Sequence, residues 1–231
     1  MTASNRSKAE ESGGLHRLAF RVSVRFKYIL FPLDLPRFVA ALTARDFVVS
    51  GEVQEPLGVP PAVFVGGQGV VGRKGDLRAD MSTDKQFIGV AGEQDPKLVL
   101  EELRALQEEL DDVLDAAKIE FFELQARHRI SRDGGGFPLI RALGHKSKIV
   151  ENASKAFSQP MELFAAQLTS RSGDPNSADY FEVWVQPVPS LADNVLGIGV
   201  VMRNPDLIAF EKQASTLEAN LSRFISASLK S

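Results

Sequence analysis

The chain has 231 residues, of which 44% are hydrophobic and 25% charged, and a formal net charge of −3. That is ordinary globular material, long enough to bury a substantial core as one large domain or two closely packed ones. The absence of cysteine excludes a disulfide framework, a thiolate zinc site and a cysteine nucleophile together. The mild acidity argues against a generally cationic nucleic-acid or membrane binder, although a local basic face survives within it.

No apolar run approaches the roughly 18 residues of a membrane span, and the N-terminus lacks a signal-peptide apolar core. The expected setting is therefore cytoplasmic, with no membrane contact. Residues 1–14 carry too little apolar surface to order themselves and are expected to form a disordered tail.

From Phe20 the sequence alternates. Phe20, Val22, Val24, Phe26 and Tyr28 fall on one face and Arg21, Ser23, Arg25 and Lys27 on the other, the period-two mark of a half-buried strand. Asp34 and Pro36 open a short helix over 35–45, with Phe38, Val39 and Leu42 at helical spacing. A strand over 47–53 follows. After the break between Pro56 and Pro61, residues 62–66, 70–72, 77–82 and 87–91 are expected as the short strands of a meander, with glycine and Asx turns between them.

The helix expected over 96–117 carries Val99, Leu103, Leu106, Leu110 and Val113 as a seam. Its C-terminal end is acidic through Glu108, Glu109, Asp111, Asp112 and Asp115. Such a run opposes the helix dipole and is either a solvated face or a contact for a basic partner.

The second half has the same order. In the strand over 119–130, Phe122, Leu124, Ala126, His128 and Ile130 alternate with Glu123, Gln125, Arg127 and Arg129. A broken helix over 138–157, interrupted at Gly144, leads to strands over 162–171, 180–188 and 196–202. The last helix, over 205–228, buries Phe210, Ala214, Leu217, Leu221, Phe224 and Ile225. Ile88-Gly89-Val90 and Asp95-Pro96 in the first half return as Ile198-Gly199-Val200 and Asn204-Pro205. Asp95 and Asn204 are expected as the N-caps of the two long helices, with the prolines in their first turns.

These features predict an α+β fold of two tandem β-α-β-β-β-α units, residues 15–117 and 118–231. The units share one antiparallel sheet and place their long helices on one face. The order and spacing are similar to the saddle of the TATA-box-binding protein. That resemblance is one of layout with no residue motif matched, so it implies an architecture and carries over no DNA-contacting residue. The capping pairs align at an offset of 109 residues and the apolar seams at 111, a discrepancy that leaves the repeat imperfect.

Motifs for chemistry are sparse. Gly67-Gln-Gly69-Val-Val-Gly72 spells a dinucleotide fingerprint, but strand and turn residues follow it where a helix N-terminus must face the pyrophosphate. Gly66-Gly67-Gln68 resembles the Gly-Gly-Gln triplet of peptide-chain release factors over those three residues alone, without that family's basic and serine-rich context. His16, His128 and His145 are not spaced as metal ligands, and His128 falls on an apolar strand phase, where a hydrogen-bonded core role is the ordinary one. No catalytic residue, cofactor site or metal site is nominated.

What remains is the sheet face opposite the helices. Alternation places Arg21, Arg25, Lys27, Arg127 and Arg129 there, joined by Tyr180, Trp184 and Gln186, which run out of phase with Phe181, Val183 and Val185. Arginines and large aromatics dominate protein interfaces, and basic groups interleaved with aromatics also suit a phosphate backbone with stacking bases. The bland alternative is that Trp184 is covered within its own subunit and the arginines pair with Glu123 and Glu182 across strands.

The sequence therefore supports first a non-catalytic interaction module or adaptor, holding a protein partner or a second copy on the open face. Nucleic-acid binding by that face comes second. A nucleotide-dependent enzyme at the loop 66–75 comes third.

Overall fold

The computed structural model describes residues 15–27, 35–50, 71–82, 87–93, 95–111, 118–131, 140, 144, 148–161, 163–171, 173–188 and 195–228. Alternation dominates the first strand, β1 (Leu15–Phe26), where Phe20, Val22, Val24 and Phe26 are buried on one side. The strand begins five residues before the regular pattern because its register shifts between Arg17 and Ala19. A bulge inserts one residue and so exchanges the faces. Leu15 and Arg17 therefore share the side of Phe20, and Leu18 is left exposed.

Helix α1 (Leu35–Ala44) follows, then β2 (Val48–Ser50), β3 (Val71–Lys74), β4 (Leu77–Ser82) and β5 (Phe87–Gly92). The strand expected over 62–66 and the glycines of the fingerprint before Gly72 lie outside the described residues. Gly72 itself is in a strand, and residues 71–82 run strand, turn, strand, with Gly75 at φ 62° in the turn. A Cβ at Gly72 would come within 2.9 Å of Leu42 and 3.1 Å of Phe47, so this glycine admits α1 to the sheet.

Helix α2 (Pro96–Glu109) opens as expected: the Asp95 side chain accepts from the Lys97 amide at 2.9 Å, with proline in the first turn. Glu108, Glu109 and Asp111 are exposed at its end, while residues 112–117 lie outside the described residues. Glu102, buried on α2, takes Arg45 on one oxygen and Lys74 on the other, each at 3.0 Å. It thereby ties α2 to the end of α1 and to β3, and its hydrogen bond holds the Arg45 pKa up.

The second half contributes β6 (Ile119–Ser131), α3 (Lys148–Phe157), β7 (Ala166–Thr169), β8 (Phe181–Pro187), β9 (Val195–Asn204) and α4 (Leu207–Ser228). Of the earlier helical stretch expected over 138–143, Ile140 is described, helical and fully buried, and Gly144, expected as the interruption, is itself helical.

The cap of α4 differs from expectation. Asn204 ends β9, its side chain accepting from the Asp206 amide at 2.8 Å, and Asp206 accepts in turn from Ala209 at 2.7 Å. The helix thus starts two residues later than Asn204-Pro205 suggests. Its buried residues Phe210, Ala214, Leu217 and Leu221 then stand 111 positions after Val99, Leu103, Leu106 and Leu110, which are buried in the first half. The later start removes the offset discrepancy, and both long helices turn equivalent faces to the sheet.

All described strands form one antiparallel sheet in the order β2-β3-β4-β5-β1-β6-β9-β8-β7. The two opening strands, β1 and β6, meet at its centre, and the meander of each half spreads outward. The apolar sides of β1, β4, β5, β6, β8 and β9 form one core with α1, α2 and α4. Phe122 of β6 meets Phe210 of α4 at a ring separation of 5.6 Å. Arg104 and Glu211 join α2 to α4 across the helical layer. Among the described residues no helix is long and apolar enough to cross a membrane.

Candidate interaction face

Among the described residues the three core helices share one side of the sheet, and the other side carries strand side chains, with the Pro175 carbonyl reaching Arg203 from the loop before β8. The row along β6 is Phe121, Glu123, Gln125, Arg127 and Arg129. Arg21, Ser23 and Arg25 flank it from β1, and Gly197, Gly199, Val201 and Arg203 flank it from β9. Strand alternation and register thus gather Arg21, Arg25, Arg127, Arg129, Tyr180, Trp184 and Gln186 of the residues singled out from the sequence on one face, with Lys27 just past the end of β1. Strand order decides what each of them meets.

Arg21 is 8% exposed and its Nη2 lies 2.7 Å from Asp80 on β4. Its guanidinium sits 4.8 Å above the ring of Phe87 and crosses Gly89, where a Cβ would come within 2.5 Å of Nη2. Arg25 is exposed, pairs with Glu120 at 3.1 Å and lies over Phe121. Lys27 is exposed at the strand end, its amide donating to the Lys118 carbonyl at 2.9 Å.

At the other end of the face, Arg203 donates to Glu123 at 2.6 Å and stacks over both Phe121 and Tyr180, with centroid distances of 4.7 and 5.5 Å. Such stacking on a desolvated ring adds to the ion pair on the order of 1 kcal/mol. The Tyr180 hydroxyl donates to Glu182 at 2.6 Å. Burial together with that hydrogen bond pushes its pKa up to about 12. Gln125 donates to Glu123 at 2.6 Å, and Gln167 donates to Glu182 at 2.9 Å. Arg203 and Asp80, which organise most of these contacts, do not stand out in the sequence; Arg203 is marked only by sharing the phase of Gly199 and Val201.

The repeated Ile-Gly-Val has a physical cause here. The glycine of each copy faces the open side and is overlain by a large side chain from the neighbouring strand: Gly89 by Arg21, and Gly199 by the indole of Trp184. A Cβ at Gly199 would fall inside that ring. Any side chain there would lift Trp184 off the sheet.

Arg127, half-buried, and Arg129, exposed, occupy the β6 row opposite Gly199 and Gly197. Gln186 is exposed on β8 opposite Gly197. The face therefore divides into a self-paired floor of Arg21, Ser23, Glu123, Tyr180 and Arg203, and a reachable set of Arg25, Lys27, Arg127, Arg129, Trp184 and Gln186.

Among the described residues no three His, Asp or Glu side chains are grouped to hold a metal ion. No protein-family model matches the chain, and no curated protein matches its sequence.

Proposed function

We propose that this chain is a non-catalytic interaction module that holds a protein partner on the open face of its sheet. The supporting observation is the pre-paired floor of that face. Cross-strand ion pairs and stacked arginines hold the surface rigid before any partner arrives, and a preorganised surface loses less ordering entropy on binding. Trp184 lies flat at the margin of this floor with arginines beside it, the residue types that dominate interface energies.

Nucleic acid is the weaker occupant because Asp80 and Glu123 already neutralise Arg21 and Arg203 and Glu182 adds a negative charge to the same face, which leaves less positive charge for a phosphate chain. We further propose that the halves are copies of one unit with a saddle-like layout, supported by the central meeting of β1 and β6 and by the 111-residue spacing of the buried helix positions. Among the described residues only the second half has the expected β-α-β-β-β-α order, the first carrying a fourth strand after its short helix, β2 to β5 against β7 to β9.

The test is capture of partners from the native host by the tagged full chain, with and without nuclease and at rising salt. A stoichiometric protein that survives both treatments and is lost on Trp184→Ala is the expected result. Recovery of nucleic acid alone, with binding that falls steeply as salt rises, would transfer the face to the nucleic-acid reading.

A further inference from the structure

Arg127 stands half-buried on the open face. Its register neighbours are Ala19 on β1 and Gly199 on β9, so a methyl group flanks it on one side and the Trp184 indole that overlies Gly199 flanks it on the other. Arg21, Arg25 and Arg203 on the same face each meet a carboxylate. Arg127 meets none among the described residues, and burial, with no acid to offset it, lowers its pKa. A guanidinium stays charged at neutral pH regardless, so this is a half-desolvated cation lacking a counter-ion.

A second, independent vacancy adjoins it. Gln125, two residues earlier on the same side of β6, is 5% exposed. Its amide nitrogen is committed to Glu123, while its Oε1 is buried with no hydrogen-bond partner. A buried acceptor left unmade costs on the order of 1–3 kcal/mol. The indole atoms nearest Gly199 include Nε1, so the Trp184 wall on this side of Arg127 carries an N–H donor as well as an apolar ring.

We infer that Arg127 is the anchor for the carboxylate of an acidic side chain on a protein partner, with Gln125 Oε1 accepting from an N–H of that same segment. The guanidinium fork matches a carboxylate with two parallel hydrogen bonds. The acceptor at Gln125 selects a ligand that also carries a donor, which a peptide backbone supplies and a phosphodiester does not. A single carboxylate can approach Arg127 while Glu123 and Asp80 remain neutralised by Arg203 and Arg21; a run of phosphates would also have to pass Glu182. This assignment rests on the reading of the open face as a protein interface.

Trp184 is the only tryptophan in the chain, so its emission reports on the surroundings of Arg127 directly. The probe is a pool of octapeptides with Glu at one fixed position and Ala, Ser, Thr or Val elsewhere, titrated against the full chain beside the matching pool with Gln. The Glu pool is expected to shift Trp184 emission about tenfold more tightly than the Gln pool, and Arg127→Gln is expected to make the two pools equal. Arg127→Met, which keeps the length of the stem, replaces the Gln variant if that one misfolds.

Equal binding of the two pools by the wild-type chain would overturn the assignment, as would a Glu preference that survives the substitution or silence from both pools at millimolar concentration. Binding of oligothymidine that depends on Arg127 would overturn it in favour of phosphate. The captured partner separates the two levels of the argument. A partner kept by Arg127→Gln and lost by Trp184→Ala removes the carboxylate anchor and leaves the module. No partner for any form removes the module itself.

Discussion

His128 shows how one side chain on the helical side of the sheet couples stability to pH. It is 1% exposed, and its Nε2 lies 3.3 Å from Glu218 on α4, a carboxylate that also receives Arg17 from β1 at 2.6 Å. A carboxylate only accepts, so Nε2 carries the proton and the buried Nδ1 presents a lone pair without a donor. Burial pulls the His128 pKa down; Glu218 opposes the shift and Arg17 adds to it.

A histidine whose folded pKa lies below its unfolded value stabilises the fold fully above the unfolded value, about 6.5. That contribution is lost as pH falls toward the folded value, because the unfolded chain binds the extra proton. Urea unfolding of the wild-type chain should therefore weaken from about pH 7 to pH 5, and His128→Leu should flatten that dependence. An unchanged slope in the variant would assign the acid sensitivity elsewhere. The alternation of β6 already puts His128 on the apolar side; Glu218, on a helix 90 residues further on, becomes visible only once α4 is docked.

The two shorter helices are used differently. α1 drives Phe38 and Leu42 fully into the core, whereas α3 has no buried residue, and between β6 and α3 it is the helical Ile140 that is fully buried. Its Ile149 and Phe157 are 78% and 68% exposed. Leu42→Ala should cost about 2–5 kcal/mol in urea unfolding, and Ile149→Ala should stay within about 0.5 kcal/mol. A large loss in the second variant would mean that α3 is packed in solution.

Amphipathic spacing alone does not separate these helices, because Ile149, Ala153 and Phe157 repeat as regularly as Phe38 and Leu42. Most element boundaries were legible for the same reason that their faces were. β4, β5 and β6 follow their alternation closely, and α2 begins where Asp95 and Pro96 put it. The misses have local causes. The bulge at Arg17–Ala19 breaks the period of β1, and Asn204 and Asp206 offer competing caps, of which backbone geometry selects the second.

At the scale of the whole molecule, the halves meet along β1 and β6 in the middle of one sheet and again where Arg104 of α2 reaches Glu211 of α4. Neither half closes its own core, since the apolar sides of both belong to one cluster. Unfolding should therefore be a single transition. Trp184 emission, which reports the second half, and far-ultraviolet circular dichroism, which reports both, should give one midpoint in urea. Two separated midpoints would mean that each half stands alone. The chemistry of the open face was less legible than its composition for the same reason: alternation says which way Arg21 and Arg203 point, and only strand order brings them to Asp80 and Glu123.

The pairing of β1 with β6 also imposes an order on synthesis. β1 leaves the ribosome roughly 100 residues ahead of its central partner, an interval of about 5–20 s at ordinary elongation rates. Once β5 has emerged it protects one edge of β1, and the other edge has no strand to complete it until β6 follows. The nascent first half is thus a sheet with an open inner edge, the form most prone to pair with a neighbouring chain on the same messenger. Slowing translation between codons 93 and 118 should increase co-translational aggregation more than slowing it after β6 has emerged.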